Sequence, residues 1–141
     1  MKINFYRAEE VVKKKLKPMV LNWNVGKWGE VLDARIREYV DRGVLVEIPI
    51  EDAWFIAPIG MVSRESDPTR PREVLDFTGL NNFIVDSQCV LPKRQELLDI
   101  VSKFRFAASI DLKSCYTNIK LHVDYQRYCC VGWRRKVYKF T

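Results

Sequence analysis

One carboxylate stands where an otherwise apolar strand would end. Residues 106–112, Phe-Ala-Ala-Ser-Ile-Asp-Leu, predict a buried strand with Asp111 at its end. A carboxylate there suits Mg²⁺, which takes few protein carboxylates together with substrate phosphates, and the carbonyl of Leu112 could add an oxygen. The amides of Ser114 and Cys115, in the following turn, could hold a triphosphate. On residue type alone, an Asp at a strand end is more often a structural cap.

Basic side chains are concentrated in two further stretches. Residues 63–72 are polar and punctuated by proline, and they carry Arg64, Arg70 and Arg72. Residues 103–141 carry nine Lys or Arg against two acids, with eight aromatic residues among them. Because cations neutralise phosphates and rings stack on bases, this composition suits a nucleic acid. The alternative, which composition alone favours, is solvated lysines around core aromatics.

Hydrophobic spacing indicates the elements that would position these groups. Residues 27–42 have a helical repeat, and Gly43 stands where a left-handed cap would end the helix. Residues 44–48 predict a short strand, and residues 54–62 predict a strand made irregular by a proline and a glycine. Another strand follows at residues 73–77. The last two strands would form a hairpin with the three arginines at its tip.

The second half of the chain predicts one more helix and further strands. The helix begins near Pro92, ends near Lys103 and has an apolar stripe. After the strand that ends near Asp111, two strands at residues 127–133 and 136–140 are joined by a tight basic turn. The order of elements is mixed α+β, without a regular alternation of strands and helices.

Length and composition limit the class of protein. The 141 residues, 48% hydrophobic and 30% charged, fit one ordinary soluble domain or a fragment of a larger one. No apolar run approaches the roughly 18 residues needed to span a bilayer, and the N-terminus lacks a signal-peptide pattern. We therefore expect no membrane partner and an intracellular location, cytoplasmic or nuclear. Four cysteines match no zinc or redox spacing and are expected to be reduced thiols.

Six segments together resemble the reverse transcriptases of retrotransposons and retroviruses. They are LDARIREYVDRGVLVEI at residues 32–48, WFIAPIGMV at 54–62, REVLDFTGLN at 72–81, LP at 91–92 with the helix that follows, SIDLKSCY at 109–116 and KVYKFT at 136–141. Taken in this order, each segment is similar to one motif of the family. The motifs are the pre-fingers helix, the W-x-S-P strand, the R-x-x-x-D-Y/F-R-x-L-N segment, the L-P helix, the D-L-x-x-A/G-Y catalytic motif and the strand entering the next motif. The resemblance covers nearly all of residues 13–141.

The resemblance implies roles at the nucleotide. Asp111 would be the first catalytic, metal-binding aspartate, and Leu112 would give a backbone carbonyl to the metal. Ser114 and Cys115 would offer amides to the triphosphate. Tyr116 would lie under the sugar of the incoming nucleotide and exclude a 2′-hydroxyl.

The resemblance also implies roles for the predicted hairpin and the segment after it. Arg72 would reach the phosphates of the nucleotide from the hairpin, with Arg64 or Arg70 as a helper. Asp76 and Phe77 would shape the template side.

The implied fold is a partial right-hand polymerase, with fingers and an incomplete palm. Residues 1–26 would be a basic lead-in, residues 27–104 the fingers-like region, and residues 105–141 the start of the palm. The implied function is that of a fragment of an RNA-directed DNA polymerase of an LTR-type or DIRS-like retrotransposon or a retrovirus. It would bind an RNA/DNA primer–template and deoxynucleoside triphosphates, with two Mg²⁺ ions in the complete enzyme.

The set of catalytic carboxylates that the family uses is incomplete in these 141 residues. Two-metal transfer needs at least two well-placed carboxylates, and the family supplies the others in a Tyr-x-Asp-Asp turn that these 141 residues lack. After Asp111 the only acid is Asp124. We therefore expect the chain to be inactive in isolation, with the remainder of a polymerase polypeptide as its partner. The alternative is a non-catalytic remnant that binds nucleic acid.

Overall fold

The structure is a computed structural model that describes residue 22 and residues 25–85, 91–112 and 115–141. The chain divides into two compact units. Unit 1 consists of Met1–Val85 and Ile119–Thr141, and unit 2 consists of Asp86–Asn118. The architecture is mixed α+β with two main helices, which confirms the predicted fold class.

Helix α1 (Gly29–Asp41) ends as the sequence predicts. Gly43 has a φ of 70° and lies just past the helix. Its N–H donates to the carbonyl of Val40 at 2.9 Å, and the N–H of Val44 donates to the carbonyl of Tyr39 at 2.8 Å. Together these two bonds form a Schellman cap, which satisfies carbonyls that the helix leaves unpaired and turns the chain towards the first strand.

In the described part of unit 1, six strands form two sheets. They are β1 (Leu45–Ile48), β2 (Ile56–Ala57), β3 (Ile59–Val62), β4 (Arg72–Leu75), β5 (Cys130–Trp133) and β6 (Lys136–Phe140). One sheet has the order β1-β6-β5-β2, in which only the β2–β5 pair is parallel, and β3 and β4 form a separate antiparallel hairpin. A short helix α2 (Thr78–Asn81) follows β4. Unit 1 also contains 3₁₀ turns at Ile50–Asp52 and Val123–Tyr128.

The predicted irregularity at Pro58 is the point where the chain passes from one sheet to the other. The carbonyl of Pro58 accepts from the backbone N–H of Asp76 at 3.0 Å. The side chain of Asn22 bridges the two sheets nearby. Its Nδ2 donates to the carbonyl of Gly132 at 3.1 Å, and its Oδ1 accepts from the N–H of Ile59 at 3.0 Å. One amide thus satisfies a donor and an acceptor that neither sheet pairs.

The described hydrophobic core lies entirely in unit 1. The largest cluster joins α1 to both sheets through Leu32, Ile36, Leu45, Ile59, Met61, Val131 and Tyr138. A second cluster packs Phe55, Ala57, Leu80 and Tyr128. Burying each large side chain stabilises the fold by about 1.5–3 kcal/mol, so these clusters hold α1 and the strands together.

Unit 2 contains helix α3 (Arg94–Val101). Pro92 precedes the N-cap residue Lys93 and does not enter the helix, and the Glu96 carboxylate accepts from the N–H of Lys93 at 3.1 Å. The predicted apolar stripe is exposed, since α3 has no buried residue. None of the helices in the described part of the chain is long and apolar enough to cross a bilayer.

The predicted buried strand over residues 106–112 is wrong. The segment has no regular secondary structure, and the side chains of Phe106 and Ile110 are 87% and 84% exposed. A strand requires a neighbour that completes its ladder of hydrogen bonds, and no described strand pairs with this segment. Apolar composition predicted burial, but burial also requires a covering surface.

Candidate nucleotide and nucleic-acid interface

The predicted arginine hairpin is confirmed in unit 1. Strands β3 and β4 are antiparallel, and their last pair joins Val62 to Arg72. Arg64 and Arg70 each lie two residues beyond that pair, in the loop, and all three arginines are exposed. The register therefore gathers three cations near one tip, which is the arrangement that contact with a phosphate group needs.

Asp67 orders the loop between the two strands. Its Oδ1 accepts from the backbone N–H of Thr69 at 3.0 Å and from the Thr69 hydroxyl at 2.5 Å, and its Oδ2 lies 3.6 Å from Arg70 Nε. The Thr69 hydroxyl, then its backbone N–H and the charge of Arg64, lower the pKa of Asp67. Arg70 is therefore partly neutralised. Arg64 and Arg72 form no ion pair with any described residue.

Glu73, next to Arg72, anchors the hairpin to α1. The Tyr39 hydroxyl donates to Glu73 Oε1 at 2.5 Å, and Arg35 Nε lies 3.7 Å from Glu73 Oε2. Burial, followed by the hydrogen bond to Glu73, raises the pKa of Tyr39, so the hydroxyl keeps its proton well into the alkaline range. Because neighbouring strand residues point to opposite faces, Glu73 holds β4 against α1 while Arg72 stays exposed.

Asp76 and Phe77, which are predicted to shape the template side, contact other residues of unit 1. Asp76 Oδ1 accepts from the backbone N–H of Thr78 at 2.9 Å, and the Thr78 hydroxyl, then its N–H, lower the pKa of Asp76. The Phe77 ring is tilted by 37° against that of Phe55, with centroids 6.0 Å apart. These contacts position α2, and the template role of both residues stays a prediction.

The residues predicted to meet the nucleotide and metal belong to unit 2. Asp111 is exposed and makes no hydrogen bond or ion pair with the described residues, and Leu112 is 62% exposed. Cys115 and Tyr116 lie in a 3₁₀ turn, Cys115–Asn118, where Tyr116 is 93% exposed. Ser114 lies outside the described residues. The roles of these residues therefore stay predictions.

The oxygen ligands in this unit do not make a complete magnesium site. Asp111 offers a carboxylate and Leu112 a carbonyl, the donor types that Mg²⁺ prefers. Across residues 22, 25–85, 91–112 and 115–141, however, no group of three His, Cys, Asp or Glu side chains lies together. A single carboxylate is too few ligands for a site that binds two metal ions.

The aromatic residues of the basic C-terminal segment have different surroundings in the two units. In unit 1, Tyr128 and Tyr138 are 0% and 8% exposed and belong to the core. In unit 2, the rings of Phe104, Phe106 and Tyr116 are 68%, 87% and 93% exposed. The interpretation as core aromatics is therefore confirmed for these rings of unit 1, and contact with a nucleic acid stays a prediction for the exposed rings of unit 2.

Sequence reasoning missed the carboxylates that orient the basic groups. Asp33 accepts from the Trp133 indole N–H at 2.7 Å and pairs with Arg134 at 2.5 Å. These partners lie about a hundred residues apart, so no local pattern links them. For Asp67 a local signal exists, because an Asp two residues before Thr69 is typical of an Asx turn.

Comparison with known proteins supports the fold. No protein family profile and no curated protein matches the sequence. Two of the solved structures that are similar to it are foamy virus proteins. The protease–reverse transcriptase of prototype foamy virus aligns with 98% of this chain at 16% identity, with a TM-score of 0.72. A foamy viral protease–reverse transcriptase in complex with double-stranded DNA aligns with 89% at 18% identity, with a TM-score of 0.59.

These similarities define a class of fold. The chain has a reverse transcriptase-like fold and matches one part of such an enzyme. It spans 17% and 22% of the length of the two foamy virus proteins.

Proposed function

We propose that this chain is the fingers and first palm segment of an RNA-directed DNA polymerase of a retroelement, either an LTR-type or DIRS-like retrotransposon or a retrovirus. It would bind a primer–template and deoxynucleoside triphosphates. The observation that carries the proposal is the fold similarity over 98% of the chain. The neighbour in complex with double-stranded DNA supports nucleic acid as the partner.

The hairpin of unit 1 would hold the triphosphate. Arg72, exposed and without an ion-pair partner in the described chain, would bind the β- and γ-phosphates, and Arg64 would assist it. Asp67 keeps the loop in place, and Glu73 fixes the strand that carries Arg72. Preorganised cations stabilise the charge that develops on transferring phosphates without a reorganisation cost.

Residues of unit 2 carry the other nucleotide and metal roles that the resemblance implies. The amides of Ser114 and Cys115 would contact the triphosphate, and Tyr116 would lie under the sugar and exclude a 2′-hydroxyl. Asp111 and Leu112 would each give one oxygen to Mg²⁺, which supplies charge neutralisation when it is bound. Because this donor set is incomplete, the remainder of the polymerase polypeptide would provide the other ligands.

Nucleotide binding at the hairpin tests the proposal directly. In the ¹⁵N-labelled chain, deoxythymidine triphosphate with Mg²⁺ is expected to shift the amide resonances of residues 62–72. Arg72→Ala should remove the shifts. Arg42→Ala, which alters an exposed arginine paired with Glu38 on α1, should leave them unchanged. If the hairpin resonances of the parent chain stay in place at saturating triphosphate, the proposed triphosphate site is wrong.

A primer-extension assay tests the expected inactivity. On a primed RNA template, the 141-residue chain should incorporate no labelled deoxynucleotide, because two-metal transfer needs more carboxylates than Asp111 supplies. Incorporation that disappears in Asp111→Asn would contradict this expectation. If the chain binds primer–template in a salt-dependent way but its hairpin does not respond to triphosphate, the non-catalytic nucleic-acid-binding remnant is the better description.

A further inference from the structure

A second basic surface lies on unit 1, away from the arginine hairpin. We call it the turn surface, and it consists of Arg37 on α1 together with Trp133, Arg134, Arg135 and Lys136 around the β5–β6 turn. Arg37, Trp133, Arg134 and Lys136 border a depression of about 340 Å³ whose lining also includes Asp33, Ile36 and Tyr138, and Arg135 lies next to Arg134 in the turn. Helix α1 directs Asp33 towards this surface and Arg35 towards β4. Helical residues two apart lie on nearly opposite sides, so the two basic surfaces are separate.

Asp33 holds the turn surface in a fixed arrangement. One carboxylate oxygen accepts from Trp133 Nε1 at 2.7 Å, and the other pairs with Arg134 at 2.5 Å. The Arg134 guanidinium also lies 5.7 Å from the Trp133 ring centroid, within cation–π range. Arg37 Nε donates to the backbone carbonyl of Asp33 at 3.3 Å. Asp33 thus orients the indole and one guanidinium group through its carboxylate, and a second guanidinium group through its backbone carbonyl.

The surface keeps an excess of positive charge. Asp33 pairs with Arg134, and Glu47 pairs with Lys136 at 2.8 Å. Arg37 and Arg135 are exposed, and neither forms an ion pair with a described residue. Guanidinium groups bind phosphate oxygens through two parallel hydrogen bonds, so two unpaired arginines are suitable ligands for phosphate groups.

The backbone of the turn is strained at Arg134 and Arg135. Trp133 pairs with Lys136, which leaves a two-residue loop in which Arg134 and Arg135 have φ values of 45° and 65°. Such loops favour Asn-Gly, and an ordinary L-residue in the left-handed region costs about 1–2 kcal/mol. Folding alone does not account for two arginines at these positions, and observed backbone strain points towards function.

We propose that the turn surface binds the phosphodiester backbone of a nucleic-acid strand without regard to sequence. Arg37 and Arg135 contact the phosphates, while Arg134 and Lys136 add to the local positive potential. A nucleic acid fits better than an acidic peptide, because planar guanidinium groups match phosphate geometry and the half-exposed Trp133 offers a ring to a base or sugar. This site rests on the part of the proposed function that makes nucleic acid the partner, and it adds a binding surface that requires neither the hairpin nor a nucleotide.

Binding of single-stranded RNA to the 141-residue chain tests the proposal. A fluorescent oligonucleotide of about 20 nucleotides is titrated at NaCl concentrations from about 0.05 to 0.3 M, and anisotropy gives the affinity. The variants are Arg37→Ala and Arg135→Gly. Each should weaken binding about five- to tenfold at low salt and reduce the slope of log K against log salt by about 0.7. Arg42→Ala, which changes the C-cap arginine that follows α1 and lies outside this surface, should have no effect.

The two variants also control for unfolding. Glycine suits the positive φ at Arg135, and alanine suits the exposed helical position of Arg37, so both proteins should fold. The proposal is overturned if the parent chain does not bind RNA, or if the double variant binds with unchanged affinity and slope. It is also overturned if polyglutamate of equal charge competes as well as RNA, which would indicate an acidic peptide ligand. The titration of the ¹⁵N-labelled chain with triphosphate tests the proposed function separately.

Discussion

Asn22 shows how one side chain can join two sheets. Its amide donates to Gly132 in β5 and accepts from Ile59 at the start of β3. Neither strand offers a backbone partner for these groups, because Pro58 has no N–H and the chain changes sheet there. A buried polar group without a partner costs about 1–3 kcal/mol. The side chain therefore stabilises the crossing between the sheets.

We expect Asn22→Ala to lower the free energy of unfolding by about 2–3 kcal/mol, since it leaves both backbone groups without a partner. Urea denaturation measures the change. Asn22→Asp is the matched control, because it keeps an acceptor for Ile59 and loses the donor to Gly132. It should also be destabilised, with the carboxylate placed against the carbonyl. If Asn22→Ala is as stable as the parent chain, the bridge does not hold the sheets together.

The adjacent thiols of Cys129 and Cys130 make the fold sensitive to alkali. Burial raises the pKa of Cys129 from 9.0 to about 11, and burial with the neighbouring Cys129 raises that of Cys130 to about 12. The folded state thus favours the neutral thiols. Above pH 9 the unfolded chain loses these protons first, so the stabilisation that is complete below pH 9 is lost as the pH rises towards 11–12.

The free energy of unfolding should therefore fall between pH 9 and 10.5, and each thiol steepens the fall by at most about 1.4 kcal/mol per pH unit. Urea titrations at each pH measure it. The Cys129→Ala/Cys130→Ala variant should show a shallower fall. Between pH 6 and 7.5 the thiols are neutral in both states, so the difference between the two proteins should be constant there. An equally steep alkaline fall in the variant would show that other groups cause it.

At the residue scale, the sequence could predict where the hairpin arginines lie but not which contacts hold the hairpin and the turn in place. Arg72 and Arg64 were placed at a hairpin tip because proline and polar residues mark a loop between two apolar runs. The contacts of Asp33 with Trp133 and of Tyr39 with Glu73 join distant parts of the chain. No local spacing encodes such pairs, since tertiary packing brings them together.

At the scale of elements, local sequence patterns correctly predicted the elements whose hydrogen bonds are made within one continuous segment. Helix α1 contains its own hydrogen bonds and ends at Gly43, and the β3–β4 hairpin pairs with itself across a short loop. The segment over residues 106–112 differs because a strand there depends on a partner from elsewhere. Its apolar composition is compatible with a strand, but composition carries no information about whether that partner exists.

The β5–β6 turn allows the backbone strain to be measured. Arg135→Gly should raise the free energy of unfolding by about 0.5–1 kcal/mol, because glycine adopts the left-handed conformation without the clash of a Cβ atom. Arg42→Gly is the matched control: Arg42 has a φ of −82°, so the same substitution there should destabilise by a similar amount. Denaturation midpoints measure both. Equal destabilisation by the two substitutions would mean that the turn is relaxed with arginine.

At the scale of the whole molecule, unit 1 is built from two separated stretches of sequence. The inner strands β5 and β6 come from the C-terminal stretch, while β1 and β2, which flank them, come from the N-terminal stretch. Unit 2 lies between these stretches in sequence and leaves its apolar side chains exposed, including those of Phe104 and Phe106. Unit 1 is therefore expected to keep its structure when the connection through unit 2 is cut.

Limited proteolysis tests this expectation. Trypsin should cut early after Lys103 or Arg105, because the backbone that follows is exposed and has no regular secondary structure. The two fragments should then elute together in native gel filtration, at the volume of the intact chain. The pairs from Leu45↔Phe140 to Ile48↔Val137 and the parallel β2–β5 pair join one fragment to the other, and the core around Tyr138 packs across them. Urea should separate the fragments. If they separate without denaturant, the C-terminal strands do not complete the sheet of unit 1, and the interleaved arrangement is wrong.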